Sequence, residues 1–289
     1  MHRPPNECIL SPTETLRFRI HGTGPETIVL VHGLAARSET WTDLLPLFAP
    51  ERYTLYLLDL LGSGESDKPR SADYSIRAHA ERLLLFLEAE SLAQVTLAGH
   101  SMGGAVVLLA AILAMRKPEK NLLRSAIVIA GPGFIQRLPL MAEVFRLPLA
   151  GKLFVALYSP DAWVKTGLRA AYYDQSLVDR EHIARYAPCY RERDAKRALV
   201  ETCRQLVPPD CAEIAACYSK LRLPVLLLWG DHDRIVPLSQ GLRLAEAIPG
   251  ATIHVFKECG HNPQEERPEQ TFAVIAEFLR RIASGDTAS

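Results

Sequence analysis

Short apolar segments spaced along almost the whole chain constrain its fold more than any other feature. They are LRFRI (16–20), TIVLVHG (27–33), YTLYLLDL (53–60), QVTLAGH (94–100), SAIVIAG (125–131), LPVLLLWG (223–230) and ATIHVF (251–256). Most are near-continuous hydrophobic runs, as expected of strands covered on both faces. Helical patterns lie between them. SIRAHAERLLLFLEAE (75–90) is amphipathic, whereas GGAVVLLAAILAM (103–115) is apolar nearly all round and should be a buried helix. Strand and helix in alternation predict an α/β fold built on a mainly parallel, doubly wound sheet with helices on both faces.

One interval breaks the rhythm. From about 132 to 222 there is no convincing strand, only helical patterns and prolines. That is too long for a plain connection. It predicts a core formed by 1–131 and 223–289, with 132–222 inserted as a helical cap. The first part of the cap is apolar and aromatic, with Phe134, Phe145, Phe154 and Trp163 as candidate pocket residues. The second part carries Arg180, Arg185, Arg191, Arg193, Arg197 and Arg204 among acids. The C-terminal ASGDTAS is expected to be disordered.

Charge narrows the partners. Thirty-three basic residues balance thirty-three acidic ones, so no net charge draws the chain to nucleic acid or an anionic membrane. No apolar run approaches the ~18 residues of a spanning helix. The segment MHRPPNECIL lacks the apolar core of a leader, which makes the cytoplasm the expected compartment. The six cysteines are irregularly spaced, four of them between Cys189 and Cys217, with no Cys-x-x-Cys pair. Free thiols packed as small hydrophobes are expected, a disulfide or metal site being the alternative. No metal or organic cofactor is called for.

The chemistry is concentrated in LAGHSMGGAVVLLAA (97–111). Ser101 stands between an apolar strand and a buried helix, with Gly99 and Gly103 two residues away on each side. A free hydroxyl is a poor nucleophile; it needs a base and donors for the oxyanion it creates. A sharp strand-to-helix turn exposes the side chain and brings the Met102 amide to a helix N-terminus. The flanking residues must then be small. His261, in ECGHNPQEERPEQ after the last strand, is the candidate base, because open α/β sheets build their sites at that edge. His32 and His100 also lie at strand ends, and His32 joins the candidate pocket residues. The His100 side chain, next to the serine, should point elsewhere. In LLLWGDHDRIVP, Asp233 is far enough into the loop to orient the histidine, while Asp231 is better placed to cap the turn.

With these residues in hand, the chain resembles the α/β-hydrolase superfamily over roughly 20–284. The matching segments are HGLA (32–35), DLLGSGESD (59–67), GHSMGG (99–104), GDHDRIVP (230–237) and CGHNPQEERPE (259–269), with Ser, Asp and His in the expected order. The resemblance implies a sheet of about eight strands and a cap between the strands near 125–131 and 224–230. It assigns a second oxyanion donor to the Leu34 amide, in a loop shaped by His32 and Gly33. In some such enzymes the acid follows the strand equivalent to 125–131, but GPGFIQRLPLMA offers no carboxylate. The glycines of DLLGSGESD read as a tight turn stabilised by Asp59, not as a phosphate loop.

Fold does not fix chemistry. Haloalkane dehalogenases and epoxide hydrolases of this fold use Asp where Ser101 stands. Hydrolases of ring-fission products use serine but usually show an aromatic residue after the base, where this chain has Asn262. Perhydrolases resemble the chain near the serine but have smaller lids. The expected activity is therefore hydrolysis of a carboxylic ester, or a thioester, by a serine carboxylesterase mechanism, on a small molecule with an apolar acyl or aromatic part. Carbon–carbon cleavage of a ring-fission diketone is the first alternative. An ester carried on an acidic acyl carrier protein, docked on the arginine-rich segment, is the second. Ligand binding without turnover is the third.

Overall fold

In the computed structural model, residues 6–138 and 140–285 are described; residues 286–289 of the tail expected to be disordered lie outside them. The chain opens with β1 (Asn6–Ser11), β2 (Glu14–His21), β3 (Glu26–Val31) and β4 (Tyr53–Asp59). It continues through α1 (Ile76–Ala89), β5 (Val95–His100), α2 (Met102–Ala114) and β6 (Leu123–Ile129). A helical stretch follows: α3 (Leu140–Arg146), α4 (Pro148–Leu157), α5 (Pro160–Ala171), α6 (Arg180–Tyr186), α7 (Arg193–Arg204) and α8 (Cys211–Cys217). The chain then returns through β7 (Val225–Gly230), α9 (Leu238–Ala247), β8 (Thr252–Phe256), α10 (Pro263–Glu266) and α11 (Pro268–Ala283).

The eight strands form one sheet in the order β1-β2-β4-β3-β5-β6-β7-β8. Only β1 with β2 and β2 with β4 run antiparallel; the remaining pairs are parallel. Every residue of β5 and β7 is buried, because each lies between neighbouring strands with apolar layers above and below. Val29, Val31, Leu97 and Val128 pack toward α1 and α2 on one face. Ile28, Leu30, Ala98 and Ile127 pack toward Trp41, Phe48 and α11 on the other. A third apolar cluster belongs to the stretch between β6 and β7 and includes Phe145, Trp163, Tyr172, Tyr190 and Leu199. It meets the core at Ala36, Leu34 and Ile235.

β1 has no counterpart among the sequence-predicted strands. It is an edge strand on which only Cys8 is buried, so it lacks the apolar run that marks the others. The turn after β4 closes on Asp59, whose carboxylate accepts from the Ser38 and Glu65 amides at 2.8 and 2.9 Å. Gly64 has φ +50°, and a Cβ there would lie 2.0 Å from Asp59 Oδ2.

Candidate active site

The site forms where β5 turns into α2. Ser101 has φ 53° and ψ −120°, a conformation that L-residues rarely adopt. Its amide donates to Ile129 O at 2.8 Å, which pins the turn to β6. The neighbouring glycines are required by contact. A Cβ on Gly99 would lie 2.2 Å from Gly103 O, and one on Gly103 would lie 2.3 Å from Val31 O. Strand and helix can approach this closely only with hydrogen at both positions.

His261 lies in the loop between β8 and α10. Its Nδ1 is 2.8 Å from Asp233 Oδ2, and both side chains are buried. A carboxylate only accepts, so Nδ1 carries the proton and Nε2 is left bare. Asp233 is fixed in turn, because its Oδ1 accepts from the Ile235 and Val236 amides at 2.8 and 2.9 Å. Asp231 faces away from this pair, toward His232 and the Cys259 amide. The His261 backbone is held on both sides. Its amide donates to Ala171 O at 2.7 Å, and its carbonyl accepts from His100 Nε2 at 3.0 Å.

Ser101 and His261 both line a cavity of about 260 Å³. Leu34 and Met102 line it as well, and neither of their amides donates to a described residue. The Leu34 loop is close to the serine, since a Cβ on Gly33 would be 3.0 Å from Ser101 Cβ. The rest of the wall is largely apolar. Phe134, Phe145, Trp163 and Leu199 contribute from the helical stretch between β6 and β7, and Leu109 and Val236 from elsewhere. Among the described residues, no Asp, Glu, Lys or Arg lines it.

Two residues expected in the pocket are elsewhere. His32 is fully buried. Its Nδ1 donates to Gly33 O at 2.8 Å and its Nε2 accepts from the Leu60 amide at 3.0 Å. It therefore ties the end of β3 to the end of β4 and shapes the Leu34 loop without reaching the cavity; burial lowers its pKa and keeps it neutral. Phe154 stacks behind the wall, with ring centres 5.5 Å from Phe145 and 4.6 Å from Tyr158. His100 is also placed differently from the expectation. Its ring is not turned away but packs 4.8 Å from that of His261. Burial, reinforced by that neighbouring ring, holds it well below the ordinary histidine pKa.

A second polar cluster gave no signal in the sequence. Glu265, buried beside the site, accepts from Tyr172 Oη, Tyr186 Oη and Asn262 Nδ2, each at 2.5 Å. Burial raises its pKa above the ordinary glutamate value, and both tyrosines are pushed well above theirs by burial and by this carboxylate. Glu266 accepts from the Tyr173 and Gly260 amides at 2.7 and 2.9 Å. Tyr172, Tyr173 and Tyr186 come from the helical insertion, so two adjacent glutamates join it to the loop that carries His261. ECGHNPQEERPEQ reads as a charged loop until the burial of both carboxylates is seen.

A serine on a strained strand-to-helix turn, beside a buried histidine–aspartate pair, defines a familiar class of protein. The chain belongs to the α/β hydrolase fold family, whose model matches residues 26–268. Its relatives include the uncharacterized hydrolase YugF of Bacillus subtilis, 30% identical over 262 residues, which cover 89% of this chain and 91% of that protein. A 2-hydroxy-6-oxononadienedioate/2-hydroxy-6-oxononatrienedioate hydrolase of Burkholderia vietnamiensis is 30% identical over 277 residues, covering 91% and 92%. Among solved structures, a thermophilic esterase from Thermogutta terrifontis superposes with a TM-score of 0.77 at 22% identity, covering 97% of this chain and 99% of that one.

Proposed function

We propose that the protein is a serine hydrolase acting on uncharged carboxylic esters, thioesters included, with an apolar acyl or aromatic part. The observation that carries this reading is the cavity: it ends on Ser101 and His261, and no ionic side chain among the described residues lines it. A neutral apolar acyl group gains from burial there, at roughly 25 cal/mol per Å².

In the proposed reaction, Ser101 Oγ comes within hydrogen-bond reach of His261 Nε2 as substrate seats. Nε2 takes the hydroxyl proton while Oγ attacks the ester carbonyl. The Leu34 and Met102 amides stabilise the oxyanion. The C–O bond to the alcohol breaks, and Nε2 returns its proton to the departing oxygen. Water, deprotonated by the same nitrogen, then cleaves the acyl-enzyme and frees the acid. Asp233 keeps Nδ1 protonated and stabilises the transient imidazolium.

Carbon–carbon hydrolysis is the second reading, supported by the Burkholderia relative. A dienedioate, as that relative's name describes, bears two carboxylates. Burying an uncompensated carboxylate is unfavourable, and this cavity supplies no cation among the described residues. Asn262 follows His261 where an aromatic residue would suit that reading. Carrier-protein docking receives less support from the arginines, because Arg185 is engaged by Asp43 and Arg197 by Asp194.

The test is labelling with a fluorophosphonate probe and mapping of the modified residue, followed by a panel of p-nitrophenyl acyl esters and a ring-fission diketone. Label on Ser101 with ester turnover, absent in Ser101→Ala, supports the reading. Label elsewhere, or turnover of the diketone in preference to every ester, overturns it.

A further inference from the structure

We propose that the outer face of α3 and α4 docks on an anionic lipid surface, setting the cavity mouth against the phase in which apolar esters dissolve. Leu149, Leu153 and Leu157 recur at four-residue spacing and form one stripe along α4. They are 84%, 59% and 70% exposed; Leu140 at the start of α3 and Leu147 at the N-cap of α4 are 82% and 56% exposed. The other side of α4 is apolar too: Val155 is buried and Phe154 packs on Phe145. A helix apolar on both sides ordinarily has cover on both sides, and a contiguous exposed patch of this kind marks an interaction surface.

Charge selects the occupant. The charged residues of 135–158 are Arg137, Glu143, Arg146 and Lys152, a local balance of three cations to one anion in a chain that is neutral overall. Arg137, Arg146 and Lys152 are exposed, Arg146 being paired with Glu143 at 3.2 Å, and Lys152 is the one charge within α4. Anionic headgroups complement such a rim, whereas a second copy related by twofold symmetry would set these cations against each other. An apolar face with a basic border suits the interfacial region of a bilayer. None of the described helices is long and apolar enough to cross one, so the contact is peripheral.

Exposed apolar surface of the same segment also reaches the cavity. Ile135, 70% exposed, lines the cavity together with Leu138 and Phe145. A molecule leaving the lipid at this rim meets the largely apolar wall that also contains Ser101.

Binding is read in the full chain carrying Ser101→Ala, so failure of the proposed chemistry and failure of docking are distinguishable. The measurement is flotation with vesicles of pure phosphatidylcholine and of equimolar phosphatidylcholine and phosphatidylglycerol. The protein is expected to float with the anionic vesicles and much less with the neutral ones. Leu149→Ser/Leu153→Ser/Leu157→Ser should lower the bound fraction by about tenfold or more. With Ser101 restored, that variant should keep its turnover of a soluble short-chain ester. Arg146→Glu/Lys152→Glu, which leaves the leucines intact, should weaken binding to the anionic vesicles as well. No flotation, equal binding to both vesicles, or binding insensitive to both variants overturns the proposal. So does a dimer, seen by sedimentation in the absence of vesicle binding, that the triple variant abolishes.

Discussion

Asp233 holds His261 through one carboxylate oxygen, 2.8 Å from Nδ1, while its other oxygen is fixed by the Ile235 and Val236 amides. This division dictates what an amide would do in its place. In Asp233→Asn the two backbone donors retain the side-chain oxygen, so the NH₂ faces His261. Nδ1 must then accept and Nε2 becomes protonated, the wrong tautomer for a base. Turnover of a p-nitrophenyl ester should fall by about 10⁴-fold with little change in melting temperature. A loss of less than tenfold would separate Asp233 from the mechanism.

The turn at Ser101 stores strain. With φ 53° and ψ −120°, the backbone is in a region costing on the order of 1–3 kcal/mol for a residue with a Cβ. Ser101→Gly removes that strain and Ser101→Ala retains it. Both should abolish turnover, but the glycine variant should be the more stable of the two by about 1 kcal/mol. Urea midpoints compared at equal m-values would check this. An alanine variant as stable as the glycine variant would mean that the turn is unstrained.

Phe145 and Phe154 pack ring against ring, yet only Phe145 lines the cavity. Phe145→Ala should shift the preferred acyl group toward longer or bulkier esters, at about 3–5 kcal/mol of stability. Phe154→Ala should lower the melting temperature and leave the ratio of kcat/KM between short and long esters unchanged. Identical shifts in the two variants would contradict the placement of this wall.

What the sequence reveals and conceals follows from burial. Strands covered on both faces write themselves as apolar runs, so β3, β5, β6 and β7 are legible. β1 is not, because an edge strand with one buried side chain leaves no such trace. Ser101, Asp233 and His261 stand out through the turns and strand ends around them. Within the helical insertion the aromatic residues are visible as a class, but Phe145 and Phe154 part company only through packing. His32 reads as a cavity residue because it ends a strand; its two ring hydrogen bonds turn it inward. The buried glutamates are the hardest to foresee, since Tyr172 and the Tyr173 amide lie 93 residues before them and Tyr186 lies 79 before.

Glu265 should couple the helical stretch between β6 and β7 to the loop that carries His261. Glu265→Ala leaves the hydroxyls of Tyr172 and Tyr186 without their buried acceptor and should destabilise the fold by about 3 kcal/mol or more. Hydrogen exchange should rise first across 172–186. Glu265→Gln allows a test of sign. Folding raises the Glu265 pKa, so its stabilising contribution is complete below the ordinary value of 4.5 and is lost as pH rises through the folded value. The advantage of wild type over Glu265→Gln should therefore be greatest at acid pH and narrow as pH climbs. An advantage that widens with pH would contradict the assigned direction.

His79 offers the complementary experiment. It is buried on α1, and neither ring nitrogen has a hydrogen-bond partner among the described residues. Burial, with Arg82 and His32 adding to it, lowers its pKa from 6.5 to about 3. Above pH 6.5 the ring is neutral whether the chain is folded or not, and it gives stability no slope. Below 6.5 the unfolded chain takes up a proton that the folded chain refuses, so stability is lost as pH falls, by up to about 1.4 kcal/mol per pH unit, until the folded ring titrates near 3. His79→Leu removes this uptake and two unpaired nitrogens. It should be neutral or mildly stabilising at pH 7 and should flatten the acid limb by about one proton. His32, His100 and the two glutamates are present in both proteins and largely cancel in the difference. Parallel urea-midpoint curves for wild type and His79→Leu between pH 6.5 and pH 4 would show that the ring is protonated in the folded chain, contrary to its burial.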